Sequence, residues 1–226
     1  QYNSSLTTDF TATTLNVGTL SYTFTEDILK ETVAFVVEDF AASIADFVTL
    51  AGDLGFKLSG TALVAVGTLG AELKVNAETY VKVTGAEFGL SSDGTDVVFE
   101  THGGSFDAKV PGITVSAGAV LVQYNSSLTT DFTATTLNVG SISYTFSEAI
   151  ASDTVAFAVT GFSASVFDLL TVSGNAAFSK SAHNGIVLSD DSVITAEVMT
   201  LGMEDVSAFV GFGGVGIRLT DVDLAV

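Results

Sequence analysis

The sequence predicts an all-β protein, built as an elongated, solenoid-like stack of kinked strands in tandem repeats. Apolar residues alternate with polar ones along most of the chain, and residues 1–18 return unchanged as residues 123–140. Comparing residues 1–60 with 123–182 gives 37 identical positions of 60. Alternation with period two is typical of strands that turn one face toward a core. We expect a first long β repeat over 1–122 and a second, truncated repeat over 123–226, packed continuously on the first.

The alternation slips by one residue near the centre of most predicted strands. Val33, Phe35 and Val37 are followed by Phe40 and Ala42, so the parity changes across an acidic pair. A slip of this kind at a small or acidic residue predicts a β-bulge or β-arc. Seven such kinked elements fit in the 122-residue repeat, and we expect their Phe, Leu and Val side chains to fill a shared interior.

Gly18 and Gly140 occupy the same place in the two repeats, and the alternation changes parity across each of them. We interpret both glycines as kinks inside a strand. Replacing either glycine with Val is then expected to cost more than about 1 kcal/mol, because a kink uses backbone conformations that glycine adopts most easily.

Turn residues and helix-capping residues predict where strands end and where short helices could begin. The predicted turns are Ser59-Gly60, Ser92-Asp93-Gly94, Pro111-Gly112 and Asn184-Gly185. The best helix candidates are Thr25–Glu31 and Ser147–Asp153, each long enough for only one or two turns. Parallel rungs of a β-solenoid are the preferred arrangement, because tight two-residue hairpins do not recur at each step. A long antiparallel β meander or sandwich is the alternative.

The composition excludes several classes of function. There are 26 acidic and 7 basic residues, a formal net charge of −19, and no cysteine. Such a charge repels phosphate backbones, so nucleic acid is not an expected partner. Disulfides and thiolate metal sites are excluded, and no apolar run is long enough to predict insertion of a helix into a membrane. We expect a segment of a longer protein, whose partners are neighbouring repeats or copies of itself end to end.

Two stretches of the second repeat resemble the units of a known group of proteins. These are VSAFVGFGGVGIRLTDVDLAV at 206–226 and FDLLTVSGNAAFSK at 167–180. Both are similar to tandem-repeat units of very large, acidic, cysteine-poor bacterial proteins, the LEPR-XLL-type repeat proteins. The resemblance implies an extracellular or cell-surface array with a structural or adhesive role, and it implies no functional residue.

Few residues qualify as a binding site. Gly211, Gly213 and Gly216 spell G-x-G-x-x-G, but a strand pattern follows in place of a helix, so a glycine-rich β-turn is the favoured interpretation. Asp221 and Asp223 are two apart on a predicted strand, where their carboxylates project to one face and are candidates for weak calcium binding. A solvated acidic face is the more favoured interpretation of this pair, and no other cofactor is predicted.

The function is therefore predicted largely by elimination. His102 and His183 stand in no metal-ligand spacing, and no nucleophile motif is present. The sequence predicts a structural or adhesive segment of a large extracellular or cell-surface filamentous protein, without catalysis. The alternatives from other classes are an outer-membrane β-barrel and an ice-binding or carbohydrate-binding solenoid.

Overall fold

The computed structural model describes residues 1–44 and 48–226, and these residues form sixteen strands and no helix. The strands are β1 (Tyr2–Asn3), β2 (Thr14–Val17), β3 (Leu20–Thr23), β4 (Thr32–Ile44), β5 (Val48–Ser59), β6 (Ala62–Asn76), β7 (Thr79–Ser92), β8 (Val97–Val110), β9 (Ile113–Ala117), β10 (Ala119–Asn125), β11 (Thr136–Val139), β12 (Ile142–Thr145), β13 (Thr154–Val166), β14 (Leu170–Val187), β15 (Val193–Phe212) and β16 (Val215–Ala225). The all-β prediction is confirmed.

Twelve of these strands form one sheet that runs through both repeats. The order is β1-β4-β5-β6-β7-β8-β10-β13-β14-β15-β16, and β9 lies beside β8 and β13 as the continuation of β10 across Gly118. All pairs among the described strands are antiparallel. The order is that of the alternative prediction, an antiparallel meander, and parallel solenoid rungs are not confirmed.

The predicted slip of parity in β4 and its counterpart in β13 are β-bulges. The ladder between β4 and β5 shifts between Val37 and Phe40, and that between β13 and β14 shifts between Val159 and Phe162. A bulge places an extra residue on one strand, which returns the next apolar side chain to the same face. In β4 and β13, the bulge therefore keeps one face of the strand apolar on both sides of the slip.

A side chain from the neighbouring strand holds several of these bulges. The amide of Asp39 donates to Asp53 Oδ1 at 2.8 Å, and the amide of Gly161 donates to Asn175 Oδ1 at 2.9 Å. Asp39 and Gly161 both have positive φ, at 52° and 61°. The two repeats thus use equivalent positions to satisfy an amide that the bulge removes from the ladder.

Three of the four predicted turns are confirmed, and the fourth is wrong. Gly185 lies inside β14 at a register shift between His183 and Ile186, and the chain turns farther on, around Ser189–Asp191. The two helix candidates are also wrong. Each contains an isoleucine that forms an isolated bridge, Ile28 with Phe10 and Ile150 with Phe132, because these short segments fold back on the preceding loop.

Gly18 and Gly140 are turn residues of hairpins, so their interpretation as kinks is wrong. Val17 pairs with Leu20, and Val139 pairs with Ile142, leaving two residues in each turn. The two glycines have φ of 62° and 57°, the left-handed conformation that such turns require at this position. The hairpins β2–β3 and β11–β12, one in each repeat, are separate two-stranded sheets outside the main sheet.

The second hairpin, β11–β12, lies across the face of β4 to β7 and encloses the buried core. The expected shared interior is thus confined to one part of the molecule. On the opposite face of the sheet, Phe35, Phe157 and Phe178 remain substantially exposed, and no described residue forms a second layer there. The sheet is a single layer except where a hairpin covers it.

Candidate functional site

The most elaborate polar and apolar constellation lies under the second hairpin. We call the face that receives it the hairpin seat, defined by Val36, Gly55, Val66, Gly89 and Glu100. The first four lie on β4, β5, β6 and β7 and are opposite one another across the sheet, forming a row perpendicular to the strands. Glu100 on β8 is opposite Gly89 and is the fifth residue of the row. The seat belongs to the first repeat, and the hairpin that fills it belongs to the second.

Two glycines make room for the hairpin side chains. A Cβ atom at Gly55 would lie 2.8 Å from the Cβ of Val139, and a Cβ atom at Gly89 would overlap the ring of Tyr144. Neither glycine has a positive φ, so close approach, not backbone conformation, explains its presence. Val139 and Tyr144 are buried as a result, and they join Val66 in the core cluster.

Glu100 is the polar anchor of the seat and is fully buried. Its Oε1 accepts hydrogen bonds from the Tyr144 hydroxyl at 2.9 Å and from the Ser147 amide at 2.7 Å. Its Oε2 accepts from Gln123 Nε2 and from Ser147 Oγ, both at 2.8 Å. Four donors therefore surround one carboxylate, and all four come from the second repeat. This arrangement compensates the desolvation that a buried charge would otherwise suffer.

The protonation states follow from these contacts. Burial alone raises the pKa of Glu100, but the hydrogen bonds from Gln123, Ser147 and Tyr144 together outweigh it and hold the pKa below its ordinary value of 4.5. Burial and the adjacent Glu100 carboxylate raise the pKa of the Tyr144 hydroxyl far above its ordinary value of 10.0. At neutral pH, Glu100 is charged and Tyr144 is a neutral donor.

His102 extends the network to the exposed edge of the seat. Its Nδ1 lies 2.7 Å from the Tyr144 hydroxyl oxygen. Because the single hydroxyl proton of Tyr144 is directed at Glu100, His102 donates through Nδ1. The other ring nitrogen, Nε2, lies 3.5 Å from Glu87 Oε2. Since all four donors to Glu100 are engaged within a closed core, the arrangement is suited to holding the hairpin in place.

The predicted calcium ligands lie elsewhere, in β16 near the other edge of the sheet. Asp221 is a bulge residue with φ of 53°, so it does not continue a regular alternation with Asp223. Asp223 Oδ1 accepts a hydrogen bond from the Asp205 amide at 3.0 Å, as Asp53 does for Asp39. Among the residues described, no three His, Cys, Asp or Glu side chains are grouped to hold a metal ion. Calcium binding at Asp221 and Asp223 stays a prediction.

The other sequence candidates are accounted for by the fold. Gly213 and Gly214 form the turn between β15 and β16, so the glycine-rich segment is a hairpin turn, as favoured. His183 lies on β14, where its Nε2 is 3.2 Å from Ser181 Oγ. His183 is therefore on a different strand from His102, which lies on β8 beside the seat.

Comparisons with known proteins give no assignment. The chain matches no protein-family model, no curated protein and no solved structure. The resemblance to large bacterial repeat proteins therefore stays a prediction. No helix that could span a membrane occurs in residues 1–44 and 48–226.

Sequence reasoning missed the seat as a site. The available signal was a glycine in the interior of two strands, Gly55 and Gly89, away from any slip of parity. Such a glycine marks a close approach of another segment. Glu100, which directly follows the apolar run Val97–Phe99, was the second signal, because an acid on the covered face of a strand requires partners.

Proposed function

We propose that the chain is a structural segment of an extended repeat array, in which each repeat is fastened to its neighbour by a hairpin. The observation that carries this proposal is the position of the second repeat's hairpin in the seat of the first repeat. The fold is proposed to join neighbouring repeats into one mechanically continuous array. The array would have a structural or adhesive role outside the cell or at its surface, without catalysis.

Two independent linkages support the proposal. The main sheet crosses the repeat boundary, since β10 pairs with β8 on one side and with β13 on the other. The hairpin then adds a second linkage, because Val139 and Tyr144 are buried against strands that precede them by more than forty residues. Burying two such side chains contributes about 2 kcal/mol each. Separation of two repeats would have to break the ladder and empty the seat together.

The surface properties agree with a long, soluble assembly. A net charge of −19 makes arrays repel one another and so opposes their aggregation. The array is proposed to lengthen by adding antiparallel strands to one sheet, with one hairpin covering each boundary. Stability would then grow with the number of boundaries, as it does in repeat proteins held by nearest-neighbour contacts.

Electron microscopy of chains with increasing repeat number tests the proposal. Chains in which one, two or three further copies of residues 1–122 precede residues 1–226 should appear as stiff rods whose length increases in proportion to copy number. Beads joined by flexible connections, with no fixed angle between copies, would contradict it. Circular dichroism on each chain verifies that all copies are folded before their lengths are compared.

A cross-link within one chain tests the linkage itself. Ser141 Oγ donates to a carboxylate oxygen of Glu38, so these two positions face each other across the seat boundary. The chain has no cysteine, which leaves a clean background. In the double variant Glu38→Cys with Ser141→Cys, a short bifunctional thiol reagent should join the two cysteines within a monomer. Failure to join them would show that the hairpin does not occupy the seat.

A further inference from the structure

The face of the main sheet opposite the hairpin seat is apolar across both repeats. We call it the open face; it runs from β4 to β16, and its rows of paired residues include Phe157 beside Phe178. Among the described residues, the paired positions on this face carry only two charges, those of Lys180 and Glu197, which form an ion pair at 2.6 Å. The sheet is therefore amphipathic, because most of the charged side chains in its strands project from the face that receives the hairpin.

Exposure of the open face is a property of each repeat. Val33 and its equivalent Val155 are 41% and 45% exposed, and Phe35 and its equivalent Phe157 are 46% and 45% exposed. All four lie on inner strands, β4 and β13, which are paired on both sides. No described segment of either repeat crosses to this face. Further repeats would add strands to the same sheet and extend the open face instead of covering it.

The exposed apolar area of the open face is larger than a monomer ordinarily presents. Strands β4 to β8, β10 and β13 to β16 each carry at least one exposed large apolar side chain on this face, such as Leu54, Leu69 and Phe178. At roughly 80 Å² for each of about fifteen side chains, the face presents on the order of 1,000 Å² of apolar surface. A monomer rarely exposes a contiguous patch of more than a few hundred Å², and a stable interface needs about 800 Å² per partner.

We propose that the open face packs face to face against the open face of a second copy of this chain. A sheet with one apolar face is stable when that face is buried against another layer, and stacked sheets pack about 10 Å apart. The two copies form a two-layer β-sandwich whose interior holds Phe35, Phe157 and Phe178 of both chains. This contact joins two arrays side by side, so it goes beyond the proposed function, in which the seat joins repeats within one array.

The spacing of the apolar residues favours a second copy as the partner. Phe56 and Phe178, like Phe35 and Phe157, are equivalents at the repeat spacing of 122 residues, and both pairs lie on the open face. A partner that covers both repeats must present apolar side chains that recur with the same advance along the sheet, as the open face of a second copy does. Because the same surface serves on both sides, the contact is isologous and closes as a pair, which leaves the sheet edges free to lengthen each array.

The placement of charge agrees with this arrangement. Asp53 and Glu87 each lie two residues from a glycine of the seat, Gly55 or Gly89, so their carboxylates project from the seat face. They stay in water when two open faces meet, and the contact brings few charges together. The net charge of −19 also opposes adsorption to a membrane surface of anionic lipids. A second copy is therefore a better partner for the open face than such a membrane.

Sedimentation velocity of matched variants tests the inference. The unaltered chain should sediment as a dimer at micromolar concentrations. Phe178→Asp should raise the dissociation constant of the dimer by about a hundredfold or more, because it places an unpaired carboxylate on the open face of each copy. Ala177→Asp is the matched control, because it adds the same charge at the adjacent exposed position of β14, on the opposite face, and it should leave the dimer intact. Circular dichroism verifies that both variants are folded.

Oxidation of methionine tests the contact in the unaltered chain. The two methionines, Met199 and Met203, both lie on the open face. In the dimer, hydrogen peroxide should convert Met203 to its sulfoxide at least about fivefold more slowly than in the Phe178→Asp variant. An unaltered chain that sediments as a monomer, equal loss of association in the two aspartate variants, or equal rates of oxidation would overturn the inference. Binding of a monomeric chain to phosphatidylcholine vesicles, abolished by Phe178→Asp, would overturn it in favour of lipid.

This inference and the proposed function fail separately, because the open face and the seat lie on opposite sides of the sheet. If Glu38→Cys and Ser141→Cys are joined within a chain that sediments as a monomer, the seat stands and only the pairing of open faces is overturned. If the chain pairs through Phe178 but the two cysteines are not joined, the pairing stands and the proposed function is overturned.

Discussion

The two hairpins carry the same turn and nearly the same side chains, but only one of them is buried. Both keep an edge-to-face contact between a tyrosine and a phenylalanine, with ring centroids 5.0 Å apart for Tyr22 and Phe24 and 5.3 Å apart for Tyr144 and Phe146. The local sequence therefore determines the hairpin. Its burial is determined by a sheet that lies elsewhere in the chain, and this separates what a repeat specifies by itself from what it needs from a neighbour.

Removing the buried carboxylate should erase most of the difference between the two hairpins. Glu100→Leu leaves Gln123, Tyr144 and Ser147 without their acceptor, and we expect a loss of about 3 kcal/mol in the free energy of unfolding. Urea denaturation measures it. Glu87→Leu on the neighbouring strand is the control and should change stability little, because Glu87 is exposed. Equal effects of the two substitutions would show that Glu100 anchors nothing.

The same carboxylate predicts a pH dependence. Because the pKa of Glu100 is lower in the folded chain than its ordinary value of 4.5, its contribution is fully present above that value and is lost as the pH falls through the folded pKa. Glu100→Gln should flatten this part of the curve of stability against pH between neutral and strongly acidic conditions. An unchanged slope would contradict the assignment of a charged Glu100.

Filling the space under Tyr144 should displace the second hairpin without removing any hydrogen-bonding group. Gly89→Ala introduces a methyl group into the position of the Tyr144 ring, and overpacking of this kind costs about 2 kcal/mol. Gly70→Ala is the matched control, because a Cβ atom there finds its nearest atom at 3.6 Å, an ordinary contact. Thermal unfolding followed by circular dichroism compares the two, and a larger loss for Gly70→Ala would disprove the account.

Removing the hydroxyl group from each of the two equivalent tyrosines, Tyr22 and Tyr144, compares the hairpins at a single atom. Tyr144→Phe removes a donor to a buried charge and should cost about 1.5 kcal/mol. Tyr22→Phe should leave the free energy of unfolding unchanged, because its hydroxyl has no counterpart of Glu100 to meet. Both are measured by urea denaturation at a dilution where chains do not associate. Equal costs would mean that the seat does not distinguish the hairpins.

The smallest expected difference concerns the two turn glycines. Gly18→Val and Gly140→Val both place a branched side chain at a positive φ, which costs about 1 kcal/mol or more in each case. Gly140→Val should cost about 1 kcal/mol beyond that, because its Cβ atom would lie 2.8 Å from Val36 while Gly18 has open space. A difference of the opposite sign would place the first hairpin, not the second, in a seat.

Much of the fold could be predicted because parity is directly visible in sequence. The slip from Val37 to Phe40 correctly indicated a bulge. The slip from Val17 to Leu20 was misinterpreted as the same feature, although it is a hairpin turn. Both steps are three residues long, so alternation alone does not separate a bulge inside a strand from a two-residue turn between strands. The preference for parallel rungs, which the structure does not confirm, arose from the same ambiguity, because a hairpin turn interpreted as a kink conceals an antiparallel pair of strands.

The seat could not be predicted because its parts are distant in sequence. Glu100 and Tyr144 are 44 residues apart, and Ser141 lies 103 residues from Glu38. No spacing within a single strand connects them, and the donors to Glu100 are ordinary hydroxyl and amide groups that occur throughout the chain. The nearly identical sequences of the two hairpins also gave no indication that one would be covered and the other exposed, since burial depends on the sheet that each one meets.

Hydrogen exchange of the two hairpins in one dilute sample tests the central claim most directly. Residues 19–31 and 141–153 differ in both sequence and mass, so fragments that contain Leu20–Thr23 or Ile142–Thr145 are distinguished by mass spectrometry, and their amides by resonance assignment. The account predicts that amides of the second hairpin exchange at least about a hundredfold more slowly, because opening them requires the seat to be emptied. Equal exchange in both hairpins would contradict the claim that the first repeat holds the second.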